Sequence, residues 1–352
     1  MVEGRTTMKA VQLIDGYGEE NLKVVEVPIP KPRSGQVLIK VDSSPINPSD
    51  IAFVKGVYGV RKTLPTIPGF EGSGKVVATG GGFMSWGLMG KNVAFVTNNK
   101  LDGAWAEYVV TDAMTCVKTG DNDVEAASCS FVNPLTVLAF LDVIKTGGHK
   151  AVIHTAAASS LGKMLVRMMQ DQGIPLINVV RRQEQVDMLK ELGAEHVLNQ
   201  TDEDFCKQLA ALSKELDATI CFDAVCGDLL GQIFNNMPKN GIIYVYGQLS
   251  MKGGAGISGG DLISKNKKIH GFWLTVYLKN KGIWSKMGLI STVQKLLGST
   301  LSTTIANRFD LGHVPEAFYY YKKHMSAGKV LIKPWMLPEA ESENKEENKE
   351  EQ

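Results

Sequence analysis

The chain of 352 residues lacks any apolar run near the roughly eighteen residues that a helix needs to cross a bilayer, so no helical membrane span is expected. It also lacks charge of one sign. Lys and Arg total 38 against 37 Asp and Glu, a formal net charge of +1, which argues against a nucleic-acid partner. Cysteine is scarce and odd in number: Cys116, Cys129, Cys206, Cys221 and Cys226 read as reduced, mostly buried thiols rather than a disulfide frame. The six histidines show no metal-ligand spacing, and no Ser-His-Asp set is apparent. The first eight residues, Met1 to Met8, have no apolar signal core, carry Glu3 and are short for an organelle presequence. A cytoplasmic protein, with neither nucleic acid nor membrane as partner, is therefore expected.

What is present is ordinary globular composition, 44% hydrophobic and 21% charged, in a length that allows two cores. The most informative stretch runs from Lys150 to Arg182. Ala151-Val152-Ile153 suits a strand buried on both faces. A small-residue turn follows, and then Leu161, Leu165, Met168 and Met169 recur at helical spacing. A second apolar run, Leu176 to Val180, stops at Arg181-Arg182. Strand, turn, helix and strand within about thirty residues form the βαβ unit that seats a dinucleotide pyrophosphate at a helix N-terminus.

Glycine is missing from most of that turn. Where Gly-x-Gly-x-x-Gly is usual, the chain has Ala157-Ala158-Ser159-Ser160-Leu161-Gly162, and only the last glycine remains. Ala and Ser are still small enough for a phosphate to approach the backbone at Ala157, Ser159, Ser160, Leu161 and Gly162. At the end of the second strand an NAD-preferring unit would carry Asp or Glu. Arg181 and Arg182 instead suit a ribose 2′-phosphate, which favours NADPH over NADH; a solvated basic strand end is the alternative.

Residues 8–45 read as strands and turns, Ile46 to Asp50 opens a short helix, and strands follow at 74–79, 92–97 and 104–110. A mostly β domain over 1–125 is expected. A helical pattern covers 124–144, interrupted at Asn133-Pro134. Alternating strands and helices then predict a doubly wound parallel sheet over 126–300. The stretch 249–260 carries no readable pattern. The chain is expected to return to the first domain over 301–338, and the Glu- and Lys-rich tail 339–352 to be disordered.

Several segments together resemble the medium-chain dehydrogenase/reductase superfamily, in its zinc-independent branch of quinone oxidoreductases and 2-enoyl thioester reductases. They are Ile46 to Asp50, Gly56-x-Tyr58-Gly59, Pro65 to Gly72, Gly103 to Tyr108, Val132 to Thr136, Leu192 to Val197, Phe222 to Val225 and Gly271 to Leu274, in family order. The resemblance implies an α/β protein with a GroES-like catalytic domain, a Rossmann NADP-binding domain, a cleft between them and a homodimer built by sheet extension. The zinc-dependent relatives carry an early Cys, and a His before the Glu of Gly-His-Glu. Here Asn47 to Asp50 and Phe70 occupy those places, and 90–103 is too short for a structural zinc lobe, so no metal is expected.

By the same resemblance Tyr58 matches a tyrosine that donates to a developing enolate, and Asn47 and Thr136 match positions near the nicotinamide and its ribose. Lining the cleft, for Tyr58, and helix or turn capping, for the other two, remain the alternatives. Trp273 matches an aromatic wall of the substrate pocket or belongs to the core, and Gly247 faces the cofactor or simply turns the chain. Lys329 is expected to be an exposed lysine, with contact to phosphate or substrate as the alternative. The implied activity is NADPH-dependent reduction of a small quinone or enone. The alternatives are a mitochondrial trans-2-enoyl thioester reductase of fatty-acid synthesis and an NADPH-binding protein without turnover.

Overall fold

A computed structural model describes residues 4–97, 100–120 and 123–336; the tail over 339–352 lies outside the described residues. The chain forms two compact units, Met1–Phe131 with Thr303–Gln352, and Val132–Ser302. No described helix is long and apolar enough to cross a membrane.

The first unit opens with an antiparallel pair, β1 (Thr7–Leu13) and β2 (Leu22–Pro28). Strand β3 (Gln36–Pro45) leads into helix α1 (Pro48–Val54), followed by β4 (Glu71–Thr79), the short α2 (Phe83–Trp86), β5 (Asn92–Val96), β6 (Tyr108–Asp112), β7 (Cys116–Lys118) and α3 (Val124–Ala127). The strand expected over 104–110 lies later. Residues 105–107 bond to β1, through Val11 N–H to the Trp105 carbonyl at 2.9 Å and Glu107 N–H to the Lys9 carbonyl at 3.0 Å, before β6 joins β3.

The second unit begins at α4 (Val132–Gly147). Asn133-Pro134 does not interrupt this helix but lies in its first turn, where a missing N–H costs no helical bond. The break falls earlier, over 128–131. Then come β8 (Val152–Thr155), α5 (Ser160–Gln172), β9 (Leu176–Val180), α6 (Gln183–Glu191), β10 (His196–Asn199), α7 (Phe205–Glu215), β11 (Ile220–Asp223), α8 (Gly227–Asn236), β12 (Ile242–Val245), α9 (Gly259–Ser264) and β13 (Lys268–Gly271). Two helices without strong sequence signals close it, α10 (Leu274–Lys279) and α11 (Ile283–Leu296). The chain re-enters the first unit through β14 (Ile305–Phe309), α12 (Val314–Lys323) and β15 (Lys329–Ile332).

The parallel sheet of the second unit has the order β10-β9-β8-β11-β12-β13, so the direction of winding reverses between β8 and β11. That is where doubly wound sheets bind nucleotides, beyond the carboxyl ends of the strands. The apolar face of α5, with Leu161, Met164, Leu165, Met168 and Met169, is buried, and Gly173 at φ +62° ends the helix. In the first unit β3 has three partners: β6 and β4 share its first part, at Gln36–Lys40 and from Val37 to Ser43, and β15 meets its end at Ser44 and Pro45. Trp105, Tyr108, Phe53 and Phe318 are the large side chains of the core beneath it.

Candidate functional site

In the first unit, the end of β3 turns into α1 at Asn47, and Pro48 presets the backbone for the first helical turn. The Asp50 carboxylate accepts the Asn47 N–H at 2.8 Å and the Phe70 N–H at 3.1 Å. It therefore ties α1 to the segment that starts β4. Burial pushes the Asp50 carboxyl up to about 7, against these two backbone donors, and the nearby Glu71 charge raises it further.

Asn47 turns its amide inward. Its Nδ2 donates to Glu71 Oε1 at 2.9 Å, while its Oδ1 accepts from the Lys329 ammonium. Glu71 Oε2 accepts the Phe131 N–H at 3.1 Å, and Ser44 Oγ donates to the Glu71 carbonyl at 2.7 Å. The expectation of an exposed Lys329 is overturned: only 2% of it is accessible. The reason is topological, since β15 pairs with β3 at Ser44 and Pro45, and Ile46 N–H bonds the Val330 carbonyl at 2.9 Å. Residue 329 is thereby set beside residue 47. An amide held by a cation at one end and a carboxylate at the other has one permitted orientation.

Tyr58 is half-buried against the same segment, its ring 5.3 Å from that of Phe70. Tyr58 and Asn47 thus contact the consecutive residues Phe70 and Glu71. The donor chemistry here does not suit zinc. Asn47 offers an amide, Glu71 is engaged by an amide and a backbone donor, a buried ammonium stands beside them, and burial pushes the nearby Cys129 thiol up to about 12. Among the described residues, no group of three or more His, Cys, Asp or Glu could hold a metal ion.

In the second unit, the turn after β8 passes through Ala156 at φ +50°, a left-handed conformation. Ser159 caps α5, its Oγ accepting the Gly162 N–H at 3.1 Å. Gly162 is required sterically: a Cβ there would lie 2.1 Å from the Ala157 carbonyl oxygen. Ala157 and Leu161 are buried, Ser159 and Ser160 half-exposed at the helix N-terminus. Arg181 and Arg182 follow β9 directly and are exposed; the Arg181 N–H donates to Gln185 Oε1 at 3.1 Å and Arg182 lies 3.8 Å from Glu184. Gly247 follows β12, where a Cβ would come 2.9 Å from the Ala224 carbonyl oxygen. Because the strands are parallel, these groups lie at the same, carboxyl end of the sheet.

Thr136 lies in α4 and spends its hydroxyl on its own helix, donating to the Val132 carbonyl at 2.6 Å. Trp273 is not core: 37% exposed, it is the N-cap residue of α10. Two polar constellations carried no local signal. The Asp223 carboxylate accepts from the Thr155 hydroxyl at 2.6 Å and from the Val225 and Cys226 N–H groups at 3.0 and 2.9 Å, joining the ends of β8 and β11. His154, pushed down to about 3 by burial and hence neutral, lies 2.8 Å from the Tyr246 hydroxyl.

Residues 33–121 match the family model of the alcohol dehydrogenase GroES-like domain, and residues 160–287 that of the zinc-binding dehydrogenase. The chain is 30% identical over 279 residues to the human mitochondrial enoyl-[acyl-carrier-protein] reductase, covering 76% of this chain and 73% of that protein. The corresponding reductase of Arabidopsis thaliana is 27% identical over 80% of this chain and 74% of its own length. Among solved structures, a candidate NADPH:quinone reductase from Mesorhizobium loti is 36% identical with a TM-score of 0.85, covering 94% of this chain and 99% of that one. A mycobacterial protein solved with NADPH, at 21% identity, shares the fold with a TM-score of 0.76 over 93% of this chain and all of that one.

Proposed function

Since the chain belongs to the medium-chain dehydrogenase/reductase superfamily, in its quinone oxidoreductase and enoyl reductase branch, we propose that this oxidoreductase uses NADPH to reduce quinones or α,β-unsaturated carbonyls without zinc. The observation that carries the zinc-free reading is the buried Lys329–Asn47–Glu71 chain. An ammonium and two engaged acceptors stand where a metal would need open lone pairs.

Arg181 and Arg182 hold the 2′-phosphate, and the N-terminus of α5 with Ser159 and Ser160 receives the pyrophosphate. When bound, NADPH supplies the hydride; the chain positions, polarises and manages protons. The Tyr58 phenol donates a hydrogen bond to the carbonyl oxygen as negative charge develops there and then passes its proton to the resulting enolate. Asn47, its amide engaged by Glu71 and Lys329, acts as a positioning residue that fixes the junction of β3 and α1. Edge strand β13, bonded among the described residues to β12 alone, supports a homodimer formed by sheet extension.

A panel of quinones, enones and crotonyl thioesters, followed by NADPH absorbance, tests this reading. Turnover of enones or thioesters should fall by about 10²–10⁴ in Tyr58→Phe, with quinone reduction largely retained. Tight NADPH binding without oxidation by any substrate would leave a binding protein instead. A preference for crotonyl thioesters would select the enoyl thioester reductase reading, which the names of the mitochondrial relatives favour.

A further inference from the structure

The segment 80–90, Gly-Gly-Gly-Phe-Met-Ser-Trp-Gly-Leu-Met-Gly, is built inside out. Its polar residue, Ser85, is buried, with Oγ 2.7 and 2.8 Å from the carbonyls of Gly81 and Gly82. Its apolar residues face outward: Phe83 is 91% exposed and Trp86 66%, with Met84 and Met89 exposed beside them. Met114, in the adjoining turn Ala113–Thr115, is exposed as well.

This is a fixed protrusion rather than a loosely packed loop. Leu88 anchors it in the core with Val76 and Ala113, and Gly80 lies so close to the Arg33 carbonyl that a Cβ would come within 1.9 Å. Apolar side chains on a protrusion have no groove to fill within the unit, and two aromatics with three methionines form more contiguous apolar surface than solubility favours.

The backbone also surrounds this protrusion with cations. Lys31 and Arg33 precede β3, Lys75 is paired across the sheet with Asn92, Lys91 leaves the protrusion, and Lys118 ends β7 opposite Val93. All five are exposed. Asp112 is the one carboxylate on segments 31–36, 75–91 and 112–118, and Gln36 Nε2 donates to it at 3.3 Å. In a chain of net charge +1, that is a local concentration of one sign.

We propose that the Phe83–Met89 protrusion docks this protein onto an anionic lipid surface, its aromatic and thioether side chains entering the headgroup boundary and the ring of Lys and Arg meeting lipid phosphates. Trp and Phe on a projecting turn suit that boundary, because lipid adapts around a protruding side chain where a flat protein partner cannot. A second copy fits less well, since symmetric packing would bring the same cations face to face. A peripheral contact of this kind needs no long apolar run, so the proposal departs from the expectation, drawn from the lack of such a run, that no membrane is a partner.

Flotation of the full chain with phosphatidylcholine vesicles, with and without phosphatidylserine, tests the proposal. Binding is expected to the anionic vesicles and to weaken as salt rises. The double variant Phe83→Ser/Trp86→Ser should lose at least about tenfold in partitioning, and each charge reversal among Lys91 and Lys118 at least about fivefold. The double variant should keep the wild-type melting temperature, because both side chains already face water. Absence of flotation with anionic vesicles at low salt would overturn the proposal. So would flotation undiminished in the double variant, or self-association that this variant abolishes in a protein that never binds vesicles.

Discussion

The two units make their candidate sites from opposite materials. In the first, the site is a chain of buried charge and amide: Lys329, Asn47, Glu71 and Asp50, gathered from three parts of the sequence and each almost inaccessible. In the second, it is a cradle of backbone and small side chains at the end of β8, with the charges of Arg181 and Arg182 out in solvent. The first design tolerates loss of a charge badly, because a desolvated partner is left behind. The second tolerates loss of its charges well, and added volume badly.

The sharpest contrast should come from Lys329→Met. It takes the donor from the Asn47 carbonyl and the cation from the Asn47–Glu71 network, and should cost about 3–5 kcal/mol of stability by denaturant unfolding. A cost under about 1 kcal/mol would show that the cation is not what balances Glu71. Arg181→Ala/Arg182→Ala should leave stability within about 0.5 kcal/mol of wild type while raising the NADPH dissociation constant by about 10- to 100-fold. Affinity for NADH should barely move, and equal losses for both nucleotides by calorimetric titration would remove the 2′-phosphate role. Gly162→Ala sits between them. Its methyl meets the Ala157 carbonyl and should cost about 1–3 kcal/mol together with weaker binding of either nucleotide.

The smallest effects concern pH, and two carboxylates of the first unit should oppose one another. Asp50 has a folded value near 7, above its ordinary 3.8, so its contribution is complete below about pH 4 and lost as pH rises through 7. Glu125 is held down to about 2 by Arg308, at 2.5 Å, and by Lys333, at 2.8 Å. Its contribution is complete above its ordinary 4.5 and lost as pH falls towards 2. Melting temperatures of Asp50→Asn should therefore gain on wild type between about pH 4 and 7, whereas Glu125→Gln should gain on it as pH falls from 4.5 towards 2. The two variants thus improve relative to wild type in opposite directions of pH, and parallel curves for both would contradict the assignment.

How legible each site was follows from the same contrast. The cradle lies within thirty consecutive residues, and its parts declare themselves by periodicity, residue size and the abrupt basic end of a strand. Asn47 and Tyr58 were recognisable only by resemblance to a family. Lys329 was misread because a lysine heading a short apolar strand looks like any solvated strand end. The Thr155–Asp223 and His154–Tyr246 pairs were invisible for a similar reason, with 68 and 92 residues between partners. Helix α11 escaped notice because its apolar residues do not gather on one face, and of its fourteen residues Val293 is the buried one.

The sequence alone determined the alternation of strand and helix that requires a doubly wound sheet, the small-residue turn proposed as the nucleotide cradle and the sign of charge at its rim. Those properties depend on neighbours along the chain, where side-chain period and turn chemistry act directly. Only the tertiary structure decided that β15 returns to the end of β3 and puts an ammonium against the Asn47 amide, and that Ser85 turns in while Phe83 and Trp86 turn out. Such outcomes depend on which strands pair and at what register, and burial energies spread over the whole core settle that choice rather than any one segment.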